Sequence, residues 1–179
     1  MIFLIAVRAE AASRSDLRFL AATAQATGAA NDATTVLAAR GDLDLIARRI
    51  YPASGAMAQL YAGTTINASG APALDPNVAN SGTINIGRRD DQSVAAPYSV
   101  FGVLNLRAGT IRQGGNLLAP LGTIGLTAET PSTAALQTSP DQGLVEFLPG
   151  SLTSVSAKGL VMPSVEYCLR ARARLTVIR

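Results

Sequence analysis

Few residues in this 179-residue chain are equipped for chemistry, and they stand in three places. The densest charged cluster is Arg88-Arg89-Asp90-Asp91, where paired acids could bind calcium or perform acid–base work. Adjacent residues of a strand point to opposite faces, so Asp90 and Asp91 converge only in a loop, and a solvated loop is the expectation. Asp42 and Asp44 stand two apart, the spacing that places both on one face of a strand, where outward acids are ordinary. Arg40-Gly41-Asp42 is the third place. A tight turn would set a guanidinium and a carboxylate at its two ends, the arrangement an integrin reads, which makes these three residues a candidate receptor-binding site. The competing reading is that Gly41-Asp42 simply opens a turn of the fold.

Other chemistries are thinly represented. The chain has no His, which removes the commonest general base, the usual Ser and Cys triads, and zinc sites built from His and Cys. Cys168 is the only cysteine, forms no intrachain disulfide and has no His partner, so it reads as an incidental thiol. Gly114-Gly115 lacks the strand, GxGxxG and helix setting of a nucleotide site and reads as a turn. The sequence therefore predicts no catalytic residue, no metal and no cofactor.

The elements that would carry these residues come from one recurring phrase. Gly63-Thr64-Thr65-Ile66-Asn67, Gly82-Thr83-Ile84-Asn85-Ile86, Gly109-Thr110-Ile111-Arg112 and Gly122-Thr123-Ile124-Gly125-Leu126 are variants of Gly-Thr-Ile followed by alternating residues. Gly41-Asp42-Leu43-Asp44-Leu45 and Gly102-Val103-Leu104-Asn105-Leu106 are related. Each phrase turns at Gly and alternates afterwards, setting Ile84 with Ile86, and Leu104 with Leu106, on one face. Glycines 41, 63, 82 and 102 stand 22, 19 and 20 residues apart, close to one coil of a β-solenoid. Steps such as 109 to 122 would be successive strands within a coil. Periodicity alone leaves an antiparallel sandwich open. Asn67, Asn85, Asn105 and Asn116 are candidates for polar ladders between coils.

Composition agrees with narrow, repetitive layers: aromatics are only 4% and charged residues 15%, with Ala, Gly, Ser and Thr abundant. The net charge of +3 is concentrated in residues 164–179, where Arg170, Arg172, Arg174 and Arg179 face Glu166 alone. The charges of residues 1–163 cancel, so no basic face suited to nucleic acid is expected. Apolar Met1 to Val7 is too short for a signal peptide core or a membrane span, and no export signal is expected in this chain. Residues 1–39 are Ala-rich; 16–26 could pass for a helix, but a weak, incomplete coil is preferred. Residues 68–81, 87–99 and 127–143 carry loop composition. The repeat stops near Pro163, and residues 164–179 form a basic tail outside it.

Val103 to Ile124, with Gln113-Gly114-Gly115-Asn116-Leu117-Leu118-Ala119-Pro120-Leu121-Gly122 at its centre, resembles the bacterial filamentous haemagglutinin family, especially its uncharacterised C-terminal region. Leu45 to Pro52 and Phe147 to Pro163 support the likeness, which covers about residues 40–163. The resemblance implies a right-handed parallel β-helix, an all-β fold with loop excursions. It further implies export through an outer-membrane transporter by two-partner secretion of the full-length parent, and an extracellular or cell-surface location. It implies adhesion to a host-cell surface receptor or glycan, and it supplies no catalytic residue. The family's amino-terminal secretion domain has no counterpart here, so the chain is similar to an internal fragment.

The expectation is thus a non-enzymatic structural or adhesive shaft segment over residues 40–163, with self-association through the solenoid ends. A carbohydrate-active β-helix enzyme, lyase or hydrolase, is the rival; a cleft gathering two acids and an Arg would favour it. A truncated gene remnant without independent function is the third reading.

Overall fold

The computed structural model describes residues 34–64, 81–130 and 141–161 in full, and the backbone of four short strands beyond them. The described chain winds through five coils. The first supplies β1 (Ala9–Ala12), β2 (Asp16–Phe19) and β3 (Thr34–Ala39). The second supplies β4 (Leu43–Ala47), β5 (Arg49–Pro52) and β6 (Met57–Ala62). A small antiparallel hairpin follows, β7 (Thr65–Ile66) with β8 (Pro72–Ala73). The third coil contributes β9 (Thr83–Arg88) and β10 (Val103–Ala108). The fourth contributes β11 (Thr110–Gln113), β12 (Asn116–Leu118) and β13 (Thr123–Ala128). The fifth contributes β14 (Leu144–Phe147) and β15 (Leu152–Ser154).

Strands from successive coils stack into three sheets. Sheet A runs β1-β4-β9-β11-β14, sheet B runs β2-β5-β12-β15, and sheet C runs β3-β6-β10-β13. Every neighbouring pair in these three sheets is parallel, which removes the antiparallel sandwich and makes the fold a parallel β-helix. The three sides enclose a narrow interior.

That interior is built by alternation held in register. Inward residues form columns one coil apart: Leu43, Ile84, Ile111 and Val145 in sheet A, and Leu37, Leu60, Leu106 and Leu126 in sheet C. Ile50 and Leu117 face each other in sheet B. The middle members of each column are fully buried. Each buried aliphatic contributes about 1.5–3 kcal/mol, and parallel pairing satisfies the backbone between coils. At the end of sheet C an all-alanine column runs through Ala39, Ala62, Ala108 and Ala128, the first three fully buried.

Corners need special backbone. Where sheet C hands over to sheet A, Gly63 donates to Gly41 O at 2.8 Å and Gly109 donates to Gly82 O at 2.9 Å. A Cβ on Gly82 would lie 2.5 Å from both Gly41 O and Gly63 N, so side chains are excluded by backbone on both sides. At the described corners leading into sheet C the backbone takes positive φ: Gly55 at 66°, Phe101 at 61° and Leu121 at 54°. The latter two adopt the left-handed conformation that costs a non-glycine residue about 1–2 kcal/mol.

The spacing of glycines needs one correction. Gly41 and Gly82 do open sheet A strands, but Gly63 sits in the same corner as Gly41, and Gly102 precedes β10, the sheet C strand of the third coil. The near-20 steps therefore mix corners of different kinds. The step from Gly109 to Gly122 does lie within one coil, with β12 between its strands. The asparagine ladder is also corrected. Asn85, Asn105 and Asn116 lie in sheets A, C and B, so they occupy different sides of the coil and do not stack on one another; Asn67 lies outside the described residues.

Loop composition located the excursion of the third coil closely, while most of the first and third loops lies outside the described residues. β9 continues to Arg88, so the second excursion begins two residues later than composition indicates, and β13 continues to Ala128 before the third. The third coil adds no strand to sheet B; its residues 89–102 leave the wall, and β5 pairs directly with β12 beneath them. Within the Ala-rich segment, Asp16–Phe19 is a strand paired with β5, while 20–33 lie outside the described residues. Most of the first loop and the basic tail, with Cys168, also lie outside them.

Candidate functional site

Reading the outer face of sheet A from its glycines upward gives the molecule's most ordered polar array. Gly41, Gly82, Gly109 and Gly143 precede β4, β9, β11 and β14, and the third residue after each is Asp44, Asn85, Arg112 and Glu146. Strand register brings these four into one column, Asp44 beside Asn85, Asn85 beside Arg112, and Arg112 beside Glu146. Alternation turns them outward because Leu43, Ile84 and Ile111 before them point in.

The column is hydrogen-bonded from coil to coil. Asn85 Nδ2 donates to Asp44 Oδ1 at 2.7 Å. Arg112 reaches two acids of the last coil, Asp141 Oδ2 at 3.1 Å through one terminal nitrogen and Glu146 Oε2 at 3.4 Å through Nε. All three members of that network are about half exposed, so its ion pairs add little stability. Asp44 is nearly buried, its carboxylate roofed by the column. Beside the column, Ile46, Gly87 and Leu148 line a cavity of about 380 Å³ together with Asp44, Asn85 and Arg112.

The Arg40-Gly41-Asp42 tripeptide occupies the corner just before β4. Gly41 O accepts the Gly63 amide, and Asp42 Oδ1 accepts the Thr83 amide of the next coil at 2.8 Å. Arg40 and Asp42 are both exposed. The carboxylate is thereby engaged in stacking the second coil on the third. Asp42 and Asp44 do share a face: both reach to the same neighbour strand, at Thr83 and Asn85.

Arg88 to Asp91 lies where the third coil leaves the wall. Arg88 pairs with Asp91 at 3.2 Å, Asp91 is almost wholly exposed, and Asp90 Oδ1 accepts the Gln92 amide. The two acids do not converge. Arg48 donates to Gln92 Oε1 at 2.7 Å, and Arg49 donates to Ala95 O while lying over the Tyr51 ring, so these arginines hold down the excursion. On sheet C, Tyr61 donates to Gln59 Oε1 at 2.9 Å. Burial raises its pKa above 10.0; Arg107 lowers it in part, and Glu129 adds to the rise.

Sequence reasoning singled out Asp42, Asp44 and the Arg88 cluster but missed Arg112, Asp141 and Glu146. The signal was present. Aligning the glycines that open sheet A strands, 41, 82, 109 and 143, places Arg112 and Glu146 in the column at once. Asp141 arrives from a loop, where no spacing rule places it.

Among the described residues, no group of three or more Cys, Asp or Glu is gathered as a metal site. No protein-family model, curated protein or solved structure matches this chain.

Proposed function

We propose that this chain is a structural and adhesive shaft segment of a secreted or surface-exposed filamentous haemagglutinin-like protein, without enzymatic activity. One observation carries the reading: aliphatic columns run from coil to coil in register, so the fold is a rod whose length is set only by the number of coils. Such a rod supports projection from a cell surface, with polar side chains displayed along its outer faces. Among the described residues, the outermost strands of the three sheets have no strand beyond them, and such edges favour self-association. The other partners in this reading are a host-cell receptor or glycan, and an outer-membrane transporter for the full-length parent.

The test is adhesion. Beads coated with the chain should bind epithelial cells well above beads coated with an inert protein. Asp42→Glu should reveal how much of that binding passes through Arg40-Gly41-Asp42. Beads that bind no better than the control would overturn the adhesive part of the reading.

A carbohydrate-active enzyme is the second reading, and Arg112 between Asp141 and Glu146 is the observation favouring it. Both carboxylates pair with one guanidinium in a half-exposed network, and neither lines the cavity beside the column, so no acid and base flank a sugar bound there. Incubation with neutral and uronate-containing polysaccharides should release no unsaturated product and no new reducing ends; release of either would establish this second reading.

A further inference from the structure

The cavity beside the sheet A column has a chemistry more specific than a polar surface. Its hollow exists because position 87 has no side chain: a Cβ there would touch only Ile46, with Cγ1 at 3.5 Å. On the far side Leu148 leans over Gly114, its Cδ1 3.1 Å from where a Cβ of that residue would stand. Ile46 and Leu148 thus make two apolar walls about two coils apart, with bare backbone between them. Along one edge runs the planar polar series Asp44, Asn85 and Arg112. The volume of about 380 Å³ falls within the usual range for a small-molecule site.

We infer that this slot binds a neutral hexopyranose unit, its C–H face on Gly87 between Ile46 and Leu148 and its hydroxyls on Asn85 and Arg112. Two features select that chemistry. A pyranose has an apolar ring face and an edge of hydroxyls that both donate and accept, and the slot offers an apolar floor beside mixed donors and acceptors. Among the described residues only one Asn85 amide hydrogen is engaged, by Asp44, which leaves its other hydrogen and its carbonyl oxygen for hydroxyls. Charge sets the second limit. The lining's one cation, Arg112, is already paired with Asp141 and Glu146, so a uronate or sulfated sugar finds no unpaired cation beside Asp44. The acids do not gather into a cation site either. This inference deepens the adhesive reading by naming what the face would hold.

Titration calorimetry or ligand-observed NMR on the intact chain tests it, with methyl glycosides of glucose, galactose and mannose and the methyl glycoside of glucuronic acid as probes. At least one neutral glycoside should saturate at millimolar concentration, with the glucuronide at least about tenfold weaker. Gly87→Val fills the slot with a residue suited to strands, and the space at that position predicts an unchanged or higher melting temperature. It should weaken the neutral sugar by about tenfold or more. No saturation by any neutral glycoside up to about 50 mM, equal binding of the glucuronide, or unchanged affinity in Gly87→Val would each overturn the inference. Sugar binding by a chain whose beads attract no cells would support the slot while removing the adhesive reading. Cell adhesion without any sugar binding would do the reverse.

Discussion

Sheets A and B are built by the same chain under the same backbone rules, yet one is continuous and the other skips a coil. In sheet A five strands follow in sequence, and two columns stay in place, aliphatic Leu43, Ile84, Ile111 and Val145 inside and Asp44, Asn85, Arg112 and Glu146 outside. In sheet B the third coil contributes nothing, and β5 meets β12 through the single register pair Ile50 with Leu117. The excursion that replaces the missing strand is secured by side chains. Ser99 Oγ donates to Pro52 O at 2.6 Å and Arg49 donates to Ala95 O at 3.2 Å, while across the gap Asn116 Nδ2 donates to Arg48 O at 2.9 Å. A solenoid therefore tolerates a gap on one side when the other two sides keep register. Function is best sought on a side that keeps its register, and on sheet A the outward residues repeat at a fixed place through Asp44, Asn85, Arg112 and Glu146.

Substitutions can break or sharpen that contrast. The largest effect belongs to Gly82→Val at the corner feeding sheet A. Its Cβ meets backbone at 2.5 Å on two sides, so a loss of about 4 kcal/mol or more, or failure to fold, should appear in urea denaturation. Gly87→Val, five residues on and facing open space, should change stability by less than about 1 kcal/mol. Equal losses for the two would mean that the corner is not where the glycines matter.

Ile111→Ala removes a fully buried member of the sheet A column and should cost about 2–5 kcal/mol. Ser99→Ala in the excursion removes one buried hydrogen bond and should cost about 1 kcal/mol. A larger cost at Ser99 would mean that the excursion, and not the column, holds the coils together.

The smallest effect is a pH dependence on sheet C. Because burial raises the Tyr61 pKa above 10.0, the folded state keeps its proton where the unfolded state loses it. The Tyr61 contribution is therefore complete below pH 10 and lost as pH rises further. Tyr61→Phe should flatten that alkaline decline in thermal melts; an unchanged decline would place its cause elsewhere.

Much of this was legible in the residues themselves. Alternation after each glycine identified the strands of β9 and β10, and Arg88-Arg89-Asp90-Asp91 with Pro97 marked the excursion of the third coil, because both signals are local. Column membership was harder, since it depends on which glycines occupy equivalent corners. Gly63 shares the corner of Gly41 but is followed by the β7-β8 hairpin and not by a sheet A strand, and Gly102 serves the corner before β10; grouping both with Gly41 and Gly82 hid the outward column. Asp141 was beyond reach altogether: it meets Arg112 only through the path of a loop. The asparagines misled for a related reason, being alike in type but placed on three different sides.

The parallel register of sheet A underlies both the rod and its outer face, and a cross-link tests it most directly. In a Cys168→Ser background, Asn85→Cys and Arg112→Cys are in-register neighbours on adjacent strands, about 4.8 Å apart at Cα, within disulfide range. Mild oxidation should join them within one molecule, seen as a mobility shift reversed by reductant. Asn85→Cys combined with Gln113→Cys should stay reduced, because Gln113 points into the core. Efficient joining of the second pair and none of the first would contradict the register, and with it the column on which the account stands.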